Sequence, residues 1–277
     1  PPSLAERTEQ KLIEAFGFGA NVPILDLRGR KDPDLSRLAE YVYEKVFLNY
    51  SLKQWGLGPD QIDPNVSARV PVKVSRDDRY FTNRYQGIPK QGYTRMFARM
   101  LDHPRIHLLL NTDAELLLSL RDGAIRVDGV PFSGRVVYTG PADELFGFRE
   151  GPLPYRSLDI RFEDEELAWH QEAAVVNYPN NYDFTRIAEF KHLQPNGEGI
   201  RGTTICREYP QVYERGKNNP YYVIASQKNQ ELHGRYLRAA AEYPGLILLG
   251  RLAEYRYYDM DQVALAVLQR MGEVLGA

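Results

Sequence analysis

The groups in this chain best equipped for chemistry are arginines and tyrosines gathered in irregular loops. The densest gathering is Gly250-Arg251-Leu252-Ala253-Glu254-Tyr255-Arg256-Tyr257-Tyr258-Asp259-Met260-Asp261, directly after the apolar run Leu246-Ile247-Leu248-Leu249. A tyrosine offers an apolar ring face and a hydroxyl donor, which suits sugar and nucleotide sites. The chain holds 19 tyrosines against 11 phenylalanines, a tilt equally compatible with packing. The usual side-chain routes to catalysis are missing. There is no G-x-S-x-G elbow, no G-x-G-x-x-G and no G-x-x-x-x-G-K-[ST]. The five histidines are dispersed; His103 and His107 are four apart, but Pro104 lies between them and no cysteine or carboxylate clusters with them, so no metal site is expected.

Positioning that loop needs a strand before it and a helix after it. Four apolar residues are enough only for a buried strand, and the Gly250-Arg251 pair ends it. Beyond the loop, Val263, Val267, Met271 and Val274 fall on one helical face, widened by Leu268 and Leu275. Two readings stand side by side. The loop sits at the carboxyl end of a strand, where open α/β sheets place ligands; or Asp259 and Asp261 merely cap a helix behind a tyrosine-rich surface turn.

The rest of the chain divides by texture. Ser3-Leu4-Ala5-Glu6 has capping-box spacing and opens a helix to about Phe16, stopped by Gly17 and Gly19. Asp32-Pro33-Asp34 starts a second, with Leu35, Leu38, Val42 and Val46 inward, running to about Leu48. Val66 to Val74 alternates like a half-buried strand, at an edge because of Pro71. Tyr80 to Thr94 reads as a loop leading into a helix that ends at Met100 or Leu101. Ile106–Leu110 and Arg135–Thr139 read as short strands flanking the turn signals Asp122-Gly123 and Asp128-Gly129. Leu158–Phe162, Ala173–Tyr178, Arg186–His192 and Gly202–Arg207 form an antiparallel region with turns at Pro179-Asn180-Asn181 and Pro195-Asn196-Gly197. Gln227–Tyr243 is a helix.

Composition excludes some partners. Lys plus Arg is 35 and Asp plus Glu is 37, a formal charge of −2, so nothing general favours nucleic acid. No apolar stretch approaches the length of a membrane span, and no membrane insertion is expected. A single cysteine, Cys206, fits a reducing, cytoplasmic setting.

Several segments together carry a family likeness. They are Lys53-Gln54-Trp55-Gly56, Tyr80-Phe81 with Arg84-Tyr85-Gln86-Gly87-Ile88-Pro89, Gly92-Tyr93-Thr94 and Tyr138-Thr139-Gly140-Pro141. Tyr155-Arg156-Ser157-Leu158, Thr185-Arg186-Ile187, Arg207-Glu208-Tyr209, Pro220-Tyr221-Tyr222 and Gly250 to Met260 continue the series. In their order and spacing, from about Leu35 onward, the chain resembles UDP-galactopyranose mutase, a flavin enzyme that interconverts UDP-galactopyranose and UDP-galactofuranose. The resemblance implies an α+β flavoprotein fold. It has a helical domain (1–48), an antiparallel substrate-binding sheet (49–88 and 140–223) and the C-terminal parts of a FAD-binding Rossmann-like domain (89–139 and 224–277). The family's N-terminal glycine fingerprint, Gly-Gly-Asn segment and histidine loop have no counterpart here, and the chain starts Pro1-Pro2-Ser3. The expectation is therefore the mutase from its second domain onward.

Site residues transfer by resemblance one position at a time. Tyr50 resembles the residue that stacks on uracil, with Phe81 nearby, and Trp55 the wall of the sugar pocket; read without the family, these are core or interface aromatics. Arg69 and Arg186 resemble the two catalytic arginines that bracket the diphosphate, against the ordinary reading of strand arginines paired with surface carboxylates. Tyr222 and Tyr257 resemble phosphate-binding hydroxyls. Arg156, Tyr80, Asn177 and Asp259 are further substrate contacts. Arg251, Leu252, Tyr258, Asp259 and Met260 are expected against the flavin. The implied cofactor is FAD in its reduced form, attacking the anomeric carbon through N5 to give a flavin N5–galactose adduct; UDP-galactose is the partner, and a homodimer is compatible. Phe184 stands where the family often has tyrosine and Val223 where it usually has proline. Arg121 to Gly134 looks like an inserted surface hairpin. Two other readings remain: a non-catalytic UDP-sugar-binding module, and a flavoprotein oxidoreductase.

Overall fold

The computed structural model describes residues 2–59, 70–194 and 199–275. The chain separates into two compact units, Pro1–Ile106 with Leu158–Gln211 and His107–Ser157 with Val212–Ala277.

In the first unit the opening helix, Pro2–Phe16, begins with proline in its first turn, where a missing N–H costs nothing. Ser3 therefore lies inside the first turn rather than capping it. Gly17 and Gly19, at φ 87° and 86°, end the helix. Asp32 caps the next long helix, Pro33–Val42, by accepting from the N–H groups of Asp34 and Leu35. Two elements have no sequence signal above: the strand Asn21–Val22 and the short helix Ile24–Arg28.

The second long helix does not stop near Leu48. It passes through a π-helical stretch, Tyr43–Leu48, into a further α-helix, Asn49–Trp55, and ends only where Gly56 turns left-handed at φ 70°. Its buried face is Leu35, Ala39, Tyr43 and Phe47, while Val46 is 42% exposed, correcting the expected face. The reason is geometric. Positions four apart drift by about 40° per step around an α-helix, and the wider π stretch takes up that drift. Ala39, Tyr43 and Phe47, with Val22, Ile24, Leu27 and Val74, form the core of this region.

Arg7 and Lys11 on the first helix reach Asp34, at 2.7 and 2.8 Å, and Lys11 also reaches Asp32 at 2.7 Å. Arg7 first, then Lys11, hold the Asp34 carboxyl well below the usual carboxylate range. A depressed pKa contributes stability that is present above the unfolded value, about 3.9, and is lost as pH falls towards the folded one. Melting temperature should therefore hold from pH 7 to about 5 and drop below about 4. Asp34→Asn should start lower and flatten that drop; parallel curves for the two proteins in thermal melts would remove the clamp from the account.

The strand Val72–Lys73 pairs antiparallel with Asn21–Val22, so the alternating stretch supplies a short edge strand; its beginning, residues 66–69, lies outside the described residues. The loop from Tyr80 leads into the helix Gly92–Leu101. The antiparallel region is present. From Leu158 onward the strand Tyr155–Glu165 neighbours Thr203–Val212, which pairs antiparallel with Arg186–Glu189, which pairs antiparallel with Val175–Asn177. The third strand is shorter than expected, because Phe190–Leu193 winds into a 3-10 turn. The turn expected at Pro195-Asn196-Gly197 lies outside the described residues.

In the second unit, Asp122-Gly123 and Asp128-Gly129 all take positive φ, the requirement of tight hairpin turns. They join the strands Leu118–Arg121, Ala124–Val127 and Val130–Pro131 into an antiparallel meander. Val136–Tyr138 pairs parallel with Leu246–Leu248. Ile106–Leu110 forms no strand: no described strand offers it a ladder, and Leu109 and Leu110 are exposed. The helix Gln227–Ala241 packs Tyr236, Ala239 and Ala240 into a core with Phe146, Tyr155 and Tyr255. The terminal helix is Met260–Leu275, with Leu268 72% exposed and Val267 at 36%, so the expected inward face is only partly covered. Among the described residues, no helix is long and apolar enough to cross a membrane.

Candidate functional site

The apolar strand Leu246–Leu248 delivers the chain into the arginine- and tyrosine-rich turn. Gly250 takes φ 100°, which a side chain would strain, and its N–H donates to Glu254 Oε2 at 2.8 Å. The turn is fastened from beneath. The Tyr255 hydroxyl donates to the Ile224 carbonyl at 3.1 Å and also to that of Pro154. His233 Nε2 lies 2.9 Å from the Ala253 carbonyl, and its ring stacks on Tyr255. Burial pushes the His233 pKa down, so the imidazole is neutral at physiological pH.

Fastened this way, the turn presents Arg251 and Tyr257 towards a neighbouring strand. The Arg251 guanidinium carbon lies 4.3 Å from the centre of the Tyr257 ring and 5.7 Å from that of Tyr222. The two rings are 5.6 Å apart. Tyr222 is the direct cross-strand partner of Arg156, whose pKa is lowered by burial. Two guanidiniums and two phenols thus share one patch of the second unit. Arg251 Nη2 is buried and has no hydrogen-bond partner among the described residues. An orphaned buried N–H of this kind is costly unless something accepts from it.

The other expected residues follow on the same turn and at the start of the terminal helix. The Tyr258 hydroxyl donates to Glu254, and burial together with that carboxylate pushes its pKa up to about 12. Met260 is 72% exposed at the start of the terminal helix, and Leu252 packs partly against the core. Asp259 precedes the terminal helix. Its N–H donates to Gln262 Oε1 at 3.0 Å, the reach-back half of a capping box.

In the first unit, Arg186 and Asn177 are direct cross-strand partners. On its other side Arg186 faces Glu208 in register, Nε to Oε2 at 3.3 Å. Burial raises the Glu208 pKa, and the facing Arg186 guanidinium opposes that rise. Tyr50 and Trp55 sit half-buried on the helix Asn49–Trp55. A crevice of about 590 Å³ opens where this helical segment faces the turn Asn180–Tyr182. Tyr80 and Phe81 touch edge to face at 4.8 Å and are 69% and 60% exposed. Arg69 lies outside the described residues. Among the described residues, no group of three or more His, Cys, Asp or Glu could hold a metal ion.

Three participants escaped sequence reasoning. Glu208 was visible only as part of Arg207-Glu208-Tyr209; pairing it with Arg186 needs a strand register that spacing does not fix. Lys53 was visible only as part of Lys53-Gln54-Trp55-Gly56, and His233 is a single residue on a helix, with no local pattern to mark its contact with the Ala253 carbonyl.

These elements define an α+β protein, with the guanidiniums of Arg156 and Arg251 and the phenols of Tyr222 and Tyr257 gathered in its second unit. Comparison with known proteins narrows the class. The family model for UDP-galactopyranose mutase matches residues 45–257. The UDP-galactopyranose mutase of Mycoplasma pneumoniae is 37% identical over 98% of this chain and 70% of its own length. The probable UDP-galactopyranose mutase of Klebsiella pneumoniae is 33% identical over 87% and 59%, and the dTDP-fucopyranose mutase of Escherichia coli is 30% identical over 94% and 66%. The chain belongs to the UDP-galactopyranose mutase family. Its fold matches the crystal structure of a reduced UDP-galactopyranose mutase with a TM-score of 0.60 over 100% of this chain and 72% of that one, at 13% identity. The chain spans 59 to 70% of the length of these curated relatives.

Proposed function

We propose that the protein is a flavin-dependent isomerase that interconverts UDP-galactopyranose and UDP-galactofuranose. The observation that carries the reading is the patch formed by Arg156, Tyr222, Arg251 and Tyr257, in a chain of this family. The reaction changes which sugar hydroxyl closes the ring and adds or removes no atoms. UDP must nonetheless leave and return, so the protein must hold a diphosphate throughout. Arginine suits that task because its planar fork stays charged and donates in pairs.

Arg186, with Asn177 beside it, and Arg69 are assigned to the diphosphate. Tyr222 and Tyr257 are assigned to phosphate oxygens, and Arg156 and Tyr80 to further polar contacts. Tyr50 with Phe81 is assigned to the uracil, and Trp55 to the sugar. The buried, unfilled Nη2 donor of Arg251 fits an acceptor on a flavin ring, with Leu252, Tyr258, Asp259 and Met260 on the same turn. The first turn of the helix Met260–Leu275 brings a partial positive charge that favours a reduced, anionic ring. FAD in its reduced state, when bound, would supply the nucleophile, N5. The buried Cys206 fits a reducing compartment, and we place the reaction in the cytoplasm.

The test is to incubate the full-length protein with UDP-galactofuranose, with and without dithionite, and to resolve the two isomers by chromatography. Conversion only under reduction is the expected result. No conversion with flavin verified as bound would overturn the reading in favour of a UDP-sugar-binding module. Oxygen consumption with substrate would favour an oxidoreductase.

A further inference from the structure

Lys53 lies on the face of the helix Asn49–Trp55 that meets the turn between the strands Val175–Asn177 and Arg186–Glu189. Its ammonium donates to the Phe184 carbonyl at 2.9 Å and also to the Tyr178 carbonyl. These carbonyls stand at the two ends of the turn, whose neck is closed by the Tyr178 N–H donating to the Thr185 carbonyl at 2.8 Å. Aromatic rings pack the turn itself: Tyr178, Tyr182 and Phe184 lie within 4.8 to 5.4 Å of one another, and Tyr209 is 5.9 Å from Phe184. The ammonium thus bridges one helix and both ends of a turn more than a hundred residues away.

We propose that Lys53 is a positioning residue that locks the helix bearing Tyr50 and Trp55 against the turn that delivers Asn177 and Arg186, and so sets the spacing between the groups that hold the nucleotide and the group that holds its diphosphate. The inference rests on the site roles proposed above, and Lys53 itself is not assigned to touch substrate. Three observations support it. The clamp's helix carries Tyr50 three residues before Lys53 and Trp55 two after, so one contact fixes both rings. The turn ends immediately before Arg186, with Thr185 fully buried and its N–H donating to the Glu208 carbonyl at 2.9 Å. Position gained at the turn is therefore transmitted to Arg186 through a rigid strand end. The ammonium is also partly buried, which lowers its pKa while Asp183 opposes the drop; such a site strengthens charge-assisted bonds to carbonyls.

Misplacement of about 1 Å can cost a reaction on the order of 100-fold. Lys53→Met keeps the apolar stem and removes the charge. In the full-length, flavin-loaded protein it should weaken UDP binding and lower kcat, each by about 10- to 100-fold. Melting temperature, measured alongside, should stay within several degrees of wild type. A merely structural lysine would do the reverse, lowering melting temperature while leaving UDP affinity and kcat of the folded fraction unchanged. UDP affinity and kcat both within twofold of wild type would overturn the clamp while the mutase reading stands. If Lys53→Met does not fold, Lys53→Gln, which keeps an amide donor group and loses the charge, decides by the same criterion. A wild-type protein that neither binds UDP nor isomerises would overturn the functional reading, and the clamp's role with it.

Discussion

Arg186→Ala should reduce isomerisation by about 30- to 5,000-fold while the protein still folds. The size follows from removing a partly buried charged donor from a diphosphate, about 2–5 kcal/mol, at 1.36 kcal/mol per tenfold in rate. The second consequence falls on Glu208. Its carboxyl is already pushed up by burial and held down by Arg186, so losing the arginine leaves a buried carboxylate that takes up a proton instead. Arg186→Ala should therefore cost some melting temperature at pH 7, and less as pH falls and the carboxyl takes up its proton. Adding Glu208→Gln should restore the melting temperature and not the turnover. That separation tests the assignment: stability tracks the pair, activity tracks the arginine alone. Turnover near wild type in the single variant, measured by chromatography of the two isomers, would remove Arg186 from the diphosphate.

Much of this site was legible because its signals are local. An apolar run of four followed by a glycine announces a strand ending in a turn, and both are there. Aspartate-glycine pairs announce tight hairpins, because few other residues accept two consecutive positive φ values, and both hairpins are present. Long-range register was not legible. Nothing in the spacing of Arg186 and Glu208 fixes them opposite each other; that depends on the length of the connection between their strands. The helix boundary near Leu48 was misplaced for a related reason. The texture of the sequence changes there, but no breaker stands before Gly56, and a helix stops at breakers rather than at changes of texture. Ile106–Leu110 shows the converse: an apolar run can be strand-like in composition and still form none without a ladder partner.

Arg251→Met should leave the ligand-free protein about as stable as before and abolish retention of flavin. Two effects offset in the ligand-free state. Methionine removes a buried, unpartnered N–H, worth about 1–3 kcal/mol, and also removes the stacking on Tyr257, worth up to about 2 kcal/mol. No such offset exists once an acceptor occupies the site, where a charge-assisted hydrogen bond contributes about 1.5–3 kcal/mol. Affinity should fall by about 10- to 100-fold, at 1.4 kcal/mol per tenfold, enough to strip flavin during purification. The readouts are the flavin absorbance of the purified full-length protein and the rise in melting temperature when FAD is added. Arg256→Met is the matched control. It lies five residues along the same turn, exposed, with its guanidinium 5.0 Å from the Tyr258 ring, and should keep its flavin. If Arg251→Met bound FAD within twofold of wild type, the buried donor would belong to the packing of Tyr222 and Tyr257 rather than to the cofactor. A loss of flavin in Arg251→Met and not in Arg256→Met would instead fix the function of the turn on one guanidinium, held in place by Tyr255 and His233 below it.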